Sequence, residues 1–266
     1  WSGQLGYDSS DNKGDEEGEM ESLGVVDLMG KKALAISAGG YHTCCTLSDR
    51  SVRCWGQGYF GQLGQEERKN RGDYFGDMAQ LAAVNLGAPV LAVAAGKQHT
   101  CAVLLDYGDY HHLKCWGENG EGGSGRLGYD DTLDRGVVKG DMAGLDAVRL
   151  GASVRAVALG GLHSCALLDT NQMKCWGGNW FGQLGAGNSE GAGYWPADWS
   201  IAGVDVIPLN TTAVIAIGAG LYHTCAAVLG GHVKCWGDNG TLGIYANRIM
   251  ESYDENALFE EVRHLR

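Results

Sequence analysis

The 266 residues are enough for a sizeable core, and 44% hydrophobic with 20% charged residues is the composition of a globular protein, not of a disordered tail. A formal charge of −12 sets up a field that repels phosphate backbones and anionic lipid, which argues against nucleic acid as a partner; no apolar run approaches the roughly 18 residues of a membrane span, which argues against insertion. With 44 glycines against 3 prolines, the chain predicts many tight turns between short strands, an all-β protein.

Its first residues, Trp1-Ser2-Gly3-Gln4-Leu5-Gly6, match the later Trp180-Phe181-Gly182-Gln183-Leu184-Gly185 but lack the Cys-Trp-Gly that stands before that copy. The sequence is therefore expected to begin inside a repeat, with at least one unit upstream. The same stretch has neither the basic nor the apolar region of a signal peptide. An acidic run follows at Asp8, Asp11, Asp15, Glu16, Glu17 and Glu19. Its oxygens could hold calcium, but the EF-hand spacing is absent and a solvated loop is the expectation.

Four units come next. Cys-Trp-Gly stands at Cys54, Cys115, Cys175 and Cys235, spaced by 61, 60 and 60 residues. Upstream of each lies His-[Thr/Ser]-Cys, beginning at His42, His99, His163 and His223. A glycine precedes each histidine by three residues (Gly39, Gly96, Gly160, Gly220), and an alanine precedes it by seven (Ala35, Ala92, Ala156, Ala216). A Gly-x-Leu-Gly turn follows at Gly61, Gly125, Gly182 and Gly240, and Gly-x-x-x-Gly-[Asp/Glu]-Met recurs at 14–20, 72–78 and 136–142. Each unit thus predicts an apolar strand, a glycine break, a strand carrying His-x-Cys, a turn, a strand carrying Cys-Trp and a glycine-rich excursion. Such a unit cannot bury both its faces alone, so its Trp and its apolar strand should pack on the neighbouring unit. The last segment, 244–266, drops the glycine pattern, and Leu258, Val262 and Leu265 fall at helical spacing. It is expected to be a short helical tail capping a repeat domain over 1–243.

The ordered set Gly-x-x-His-[Thr/Ser]-Cys, Cys-Trp-Gly and Gly-x-Leu-Gly resembles the regulator of chromosome condensation repeat, over about residues 1–243. The resemblance implies a β-propeller of four-stranded blades, about seven in a ring. Here it gives four complete blades and a partial one. The repeats are about sixty residues, longer than that family's usual length, with the extra residues in the excursions and in the hairpin around Asp106–His112. A kelch-type propeller is the runner-up fold, but its double glycine is met only in part, as at Gly39-Gly40 and Gly160-Gly161.

Opposite residues of an antiparallel hairpin have a constant sum of numbers. Cys44 then faces Cys54, Cys165 faces Cys175 and Cys225 faces Cys235, while Cys101 and Cys115 fit across a longer loop. Facing residues of neighbouring strands lie within disulfide reach, so each unit can staple its own hairpin. Zinc is the rival, since a His and two Cys share each hairpin, but three ligands without Cys-x-x-Cys spacing make a poor structural site. Cys45, the ninth cysteine, takes the place of Ala102, Ala166 and Ala226 and is expected to be a buried free thiol. Four hairpin disulfides imply an oxidising compartment, extracellular or lumenal. The sequon at Asn210 is compatible with that, and is a better glycosylation candidate than Asn239.

Catalytic patterns are weak. Gly187–Gly191 matches a nucleophile elbow without strand-to-helix context, and Gly120–Gly125 matches a dinucleotide loop that leads into no helix. Asp106, Asp109, His111 and His112 could take a metal, but Tyr107 and Tyr110 beside them suit a protein contact better, which makes Tyr107, Tyr110, His111 and His112 the partner-contact candidates. No catalytic, cofactor or metal residue is assigned. The reading is a non-catalytic binding or scaffold propeller, an accessory subunit or interaction module in an oxidising compartment. The alternatives are a guanine-nucleotide exchange factor for a small GTPase, as the resemblance implies at face value, or an enzyme-inhibiting propeller.

Overall fold

The computed structural model describes residues 2–105, 110–120, 124–192, 200–211 and 213–240. They form four three-stranded antiparallel sheets, each taken from one sequence unit. The first holds β1 (Ala33–Ala38), β2 (His42–Leu47) and β3 (Val52–Gly56). The second holds β4 (Val90–Ala95), β5 (His99–Leu105) and β6 (His111–Gly117), after a single helical turn, α1 (Asp77–Gln80). The third holds β7 (Val154–Leu159), β8 (His163–Leu168) and β9 (Met173–Gly177), and the fourth β10 (Val214–Ala219), β11 (His223–Val228) and β12 (His232–Gly237). The blades follow one another in chain order, with first strands side by side: β1 lies against β4, β4 against β7 and β7 against β10. The predicted capping tail over 244–266 lies outside the described residues. No helix among the described residues is long and apolar enough to cross a membrane.

All four sheets share one register. A bulge interrupts the first pairing of every blade at the same place, between Ala33 and Ala35, Val90 and Ala92, Val154 and Ala156, and Val214 and Ala216. The recurrent alanine is the residue that resumes pairing after the bulge. In the second pairing, Cys44 faces Cys54, Cys101 faces Cys115, Cys165 faces Cys175 and Cys225 faces Cys235. All four pairs are disulfides, with Cα atoms 4.0–4.1 Å apart, the close approach of a pair that does not exchange backbone hydrogen bonds. The thiolates that a zinc ion would need are held in these bonds. Cys45 is a free thiol, buried with Leu47, Trp55, Met78 and Leu81, and burial pushes its pKa up.

Alternation along the second and third strands puts the disulfide on one face and the tryptophan on the other, and in the first three blades both groups are buried because blades stack. The Cys44–Cys54 disulfide shares a core with Trp116 of the next blade, Cys101–Cys115 with Trp176, and Cys165–Cys175 with Trp236. One blade's staple is therefore the floor on which the next blade's indole rests.

The blades differ from the resemblance in one respect: the fourth strand is reduced to a single bridge, Gly56 with Arg71, Gly117 with Arg135 and Gly177 with Ala192. The bridging glycine of each Cys-Trp-Gly has φ between 105 and 110°, and an added Cβ would meet the carbonyl of Tyr41, Gln98 or Leu162 at 2.6–2.7 Å. The chain turns away there into the glycine-rich excursion instead of continuing a ladder.

Candidate partner-binding surface

A binding surface on a propeller is only as firm as the seams between blades, and one hydrogen-bonded relay makes all of these. The His42 Nε2 atom lies 2.7 Å from Thr100 Oγ1 of the next blade. That hydroxyl donates back to the Gln62 carbonyl at 2.8 Å, and the same carbonyl accepts from Trp116 Nε1 at 3.0 Å. The next seam repeats this with His99, Ser164, Arg126 and Trp176, and the third with His163, Thr224, Gln183 and Trp236. At the N-terminal end, Thr43 and Trp55 both donate to the Gln4 carbonyl. Since the hydroxyl proton is committed to the carbonyl, the histidine must donate through Nε2, which leaves Nδ1 unprotonated. Nδ1 of His42, His99 and His163 has no hydrogen-bond partner among the described residues. Burial holds His42 and His163 down to about 4 and His99 well below its ordinary value, with the nearby charge of Arg126 adding to the last. These rings are neutral joints at physiological pH.

The glycine three residues before each histidine is a matter of space. A Cβ on Gly160 or Gly220 would come within 2.1 Å of its own histidine ring, and on Gly39 or Gly96 within 2.9 and 2.5 Å. A second clamp ties each excursion to the next. Asp8 accepts from the amides of Gly76 and Met78, Glu66 from that of Met142 and Asp130 from that of Ile201, each closing the helical turn of the following excursion. All three carboxylates sit at positive φ two residues beyond Gly-x-Leu-Gly. Sequence reading placed Asp8 in a solvated acidic loop. The structure corrects this: the register position, not the charge run, was the signal. Arg126, fully buried and bonded to Glu118 at 3.0 Å, is another polar group that composition did not reveal.

At the end where β1 turns into β2 and β3 leaves the sheet, loops from successive blades are tied together. Within blades, the Gln57 amide donates to the Tyr41 carbonyl and that of Glu118 to Gln98; between blades, the Gly40 amide donates to Gly96 and that of Gly161 to Leu221. Two aromatic loops rise from this base. Phe60 N–H is held by Gln62 Oε1 and Phe181 N–H by Gln183 Oε1, both at 2.9 Å. Tyr59 packs edge-on against Phe60, and Phe181 against Tyr222 of the next blade, with ring centroids 5.0 and 5.1 Å apart. Tyr59, Trp180, Phe181 and Tyr41 nevertheless keep 43–59% of their surface exposed. Between the first two blades a cleft of about 690 Å³ is lined by Tyr41, Phe60, Lys97, Gln98, Glu118 and Asp134. Rigid, half-exposed aromatics beside a mixed-charge cleft make the chemistry of a protein contact.

The partner-contact candidates of the sequence lie elsewhere. Tyr110, 45% exposed, packs at a tilt against His112 with centroids 4.8 Å apart, and the His111 amide donates to Ser153 Oγ at 2.8 Å. They sit at the opposite end of the second blade, where β5 turns into β6, while Tyr107 lies outside the described residues. Sequence reading missed the Tyr59-Phe60 and Trp180-Phe181 loops, although both precede Gly-Gln-Leu-Gly. Asn210 is exposed, in left-handed backbone at φ 50°. The elbow-like Gly187–Gly191 is loop, its Asn188 and Glu190 carbonyls accepting from Asn179 Nδ2.

Comparison with known proteins gives a consistent answer. The family model for the regulator of chromosome condensation (RCC1) repeat matches residues 34–62, 154–183 and 214–241. The ultraviolet-B receptor UVR8 of Arabidopsis thaliana is 29% identical over 80% of this chain and 44% of its own length. The human E3 ubiquitin-protein ligase HERC2 is 31% identical over 77% of this chain and 4% of its own. The chain thus spans less than half the length of these relatives. Among solved structures, human WBSCR16 matches with a TM-score of 0.60 at 17% identity, over 78% of this chain and 47% of its own. Prp20p of Saccharomyces cerevisiae matches with 0.59 at 21% identity, over 79% and 46%. Both are likenesses of fold.

Proposed function

This chain belongs to the regulator of chromosome condensation repeat family, and on that footing we propose that it is a non-catalytic protein-binding module of an oxidising compartment, extracellular or lumenal. The observation that carries the reading is the pair of pinned, exposed aromatic loops, Tyr59-Phe60 and Trp180-Phe181, on a base of hydrogen-bonded blades. Preorganised aromatics lose little entropy on binding, which is why they serve as anchors in protein interfaces. Relatives named as a receptor and as a ubiquitin ligase support the view that the repeat is a platform and the activity lies in what it is joined to.

Four disulfides, three of them buried, support the compartment, since reducing cytosol would keep such thiols open. Asn210, exposed on a turn, is the proposed glycan acceptor. The charge of −12 favours a partner with a basic face. Tyr110, His111 and His112 form a second proposed contact at the opposite end, and Tyr107 is proposed with them from the sequence alone.

The test is a cross-linking comparison from the native source. A partner that cross-links to the parent and to Tyr110→Ala, but not to a Trp180→Ala/Phe181→Ala protein, supports the aromatic loops. Loss in Tyr110→Ala alone moves the interface to the other end. Release of fluorescent nucleotide from a small GTPase by the purified protein would replace this reading with that of an exchange factor.

A further inference from the structure

The residue that follows Gly-x-Leu-Gly has the same task in three excursions. Tyr7 donates its hydroxyl to the Gly24 carbonyl at 2.9 Å, Gln65 its Nε2 to that of Ala82 at 2.9 Å, and Tyr129 its hydroxyl to that of Asp146 at 3.0 Å. The acceptor is equivalent in the last two. It stands two residues before Val84 or Val148, whose amides bond to the carbonyls of Val52 and Leu113 in the third strand. Tyr129 makes one bond more, accepting from the amide of Cys115 at 3.0 Å. Its phenol thus fills the place beside the sheet where a fourth strand would run.

In the next unit this residue is Ala186. The counterpart of Asp146 is Asp205, two residues before Ile207, whose amide bonds to the Met173 carbonyl. The counterpart of Cys115 is Cys175, and its close pairing with Cys165 directs its amide outward from β8, as in Cys115. Alanine reaches neither group. At this place the structure has a cavity of about 850 Å³, lined among others by Cys175, Leu184, Ala186, Val204, Asp205 and Ile207. Its size is that of a small-molecule site, roughly 300–1,000 Å³.

We infer that this cavity is a binding site for a phenol: the ring lies against Leu184, Val204 and Ile207, and the hydroxyl accepts from the Cys175 amide and donates to the Asp205 carbonyl. Tyr129 shows within the same molecule what the occupant looks like. Leu184, Val204 and Ile207 give an aromatic ring an apolar bed within this mixed lining, and the hydroxyl adds a requirement that a plain hydrocarbon fails.

The test titrates the full chain with p-cresol, the tyrosine side chain without its backbone, following amide and methyl NMR shifts. The expected result is saturable binding with shifts centred on Cys175, Ala186 and Ile207, at least tenfold weaker binding of toluene, and loss of binding in Ala186→Tyr. Should that variant fail to fold, Ala186→Gln, which copies the residue at Gln65, serves in its place. Titration with N-acetyl-tyrosine amide separates sources: binding comparable to p-cresol means a partner's tyrosine fits, and p-cresol alone means a free phenol. No saturable binding, equal affinity for toluene, or undiminished binding in the filled variants overturns the proposal.

Discussion

His42 Nε2 and Thr100 Oγ1 stand 2.7 Å apart across the seam between the first two blades, and the hydroxyl passes the bond on to the Gln62 carbonyl. Removing the hydroxyl therefore leaves a buried N–H and a half-satisfied carbonyl. Thr100→Val is expected to destabilise the protein by roughly 2–4 kcal/mol. Thr100→Ser keeps the relay, as Ser164 does in the next blade, and is expected to cost under about 1.5 kcal/mol. Urea unfolding of both variants checks the contrast, and equal losses would contradict the relay.

The buried histidines fix the acid behaviour. Their folded-state values, about 4 for His42 and His163, lie below the ordinary 6.5, so the unfolded chain binds more protons in that window. The stability they support is complete above about pH 6.5 and is lost as pH falls towards 4, at up to ~1.4 kcal/mol per pH unit per histidine. His99 adds in the same direction. Unfolding midpoints measured from pH 7.5 to 4.5 should fall progressively, and fall less steeply in His163→Gln.

Two glycines separate space from freedom. Gly160→Ala would bring a Cβ within 2.1 Å of the His163 ring, whereas Gly218→Ala meets nothing within 4 Å and needs no positive φ. The first is expected to cost roughly 1–3 kcal/mol or more, and the second to stay within about 0.5 kcal/mol of the parent. Thermal melts of the pair decide it.

Each staple closes a short loop, 10 residues for Cys165–Cys175. The Cys165→Ala/Cys175→Ala protein should lose roughly 2–4 kcal/mol, because the unfolded chain regains the freedom the bond removes. Cys45→Ala, which restores the residue used by the other three blades, should lose much less. Denaturant curves under oxidising conditions test both.

What the sequence made legible was whatever repeats in register. The spacing of Cys-Trp-Gly gave the blades, and the constant sum of hairpin numbers paired Cys44 with Cys54 as the structure does. The choice of Thr or Ser after each histidine already recorded the need for a hydroxyl, but its partner lies about sixty residues away, where no local pattern points. Asp8 was illegible for a different reason: its clamp on Gly76 is set by backbone geometry, and nearby acidic residues disguised it. The four-stranded blade implied by the resemblance became three strands and a bridge, because the glycine after each tryptophan turns the chain out of the sheet. The aromatic loops stayed hidden because exposure depends on the neighbouring blade, and the tyrosines of the longer hairpin carried the more conspicuous local pattern.

The most direct test of a disulfide-braced binder in an oxidising compartment is thiol trapping on the protein as its native source makes it, followed by mapping of unreduced peptides. The account predicts Cys44–Cys54, Cys101–Cys115, Cys165–Cys175 and Cys225–Cys235 linked, with Cys45 alone alkylated after unfolding. Nine alkylated cysteines would contradict it and return the chain to a reducing compartment.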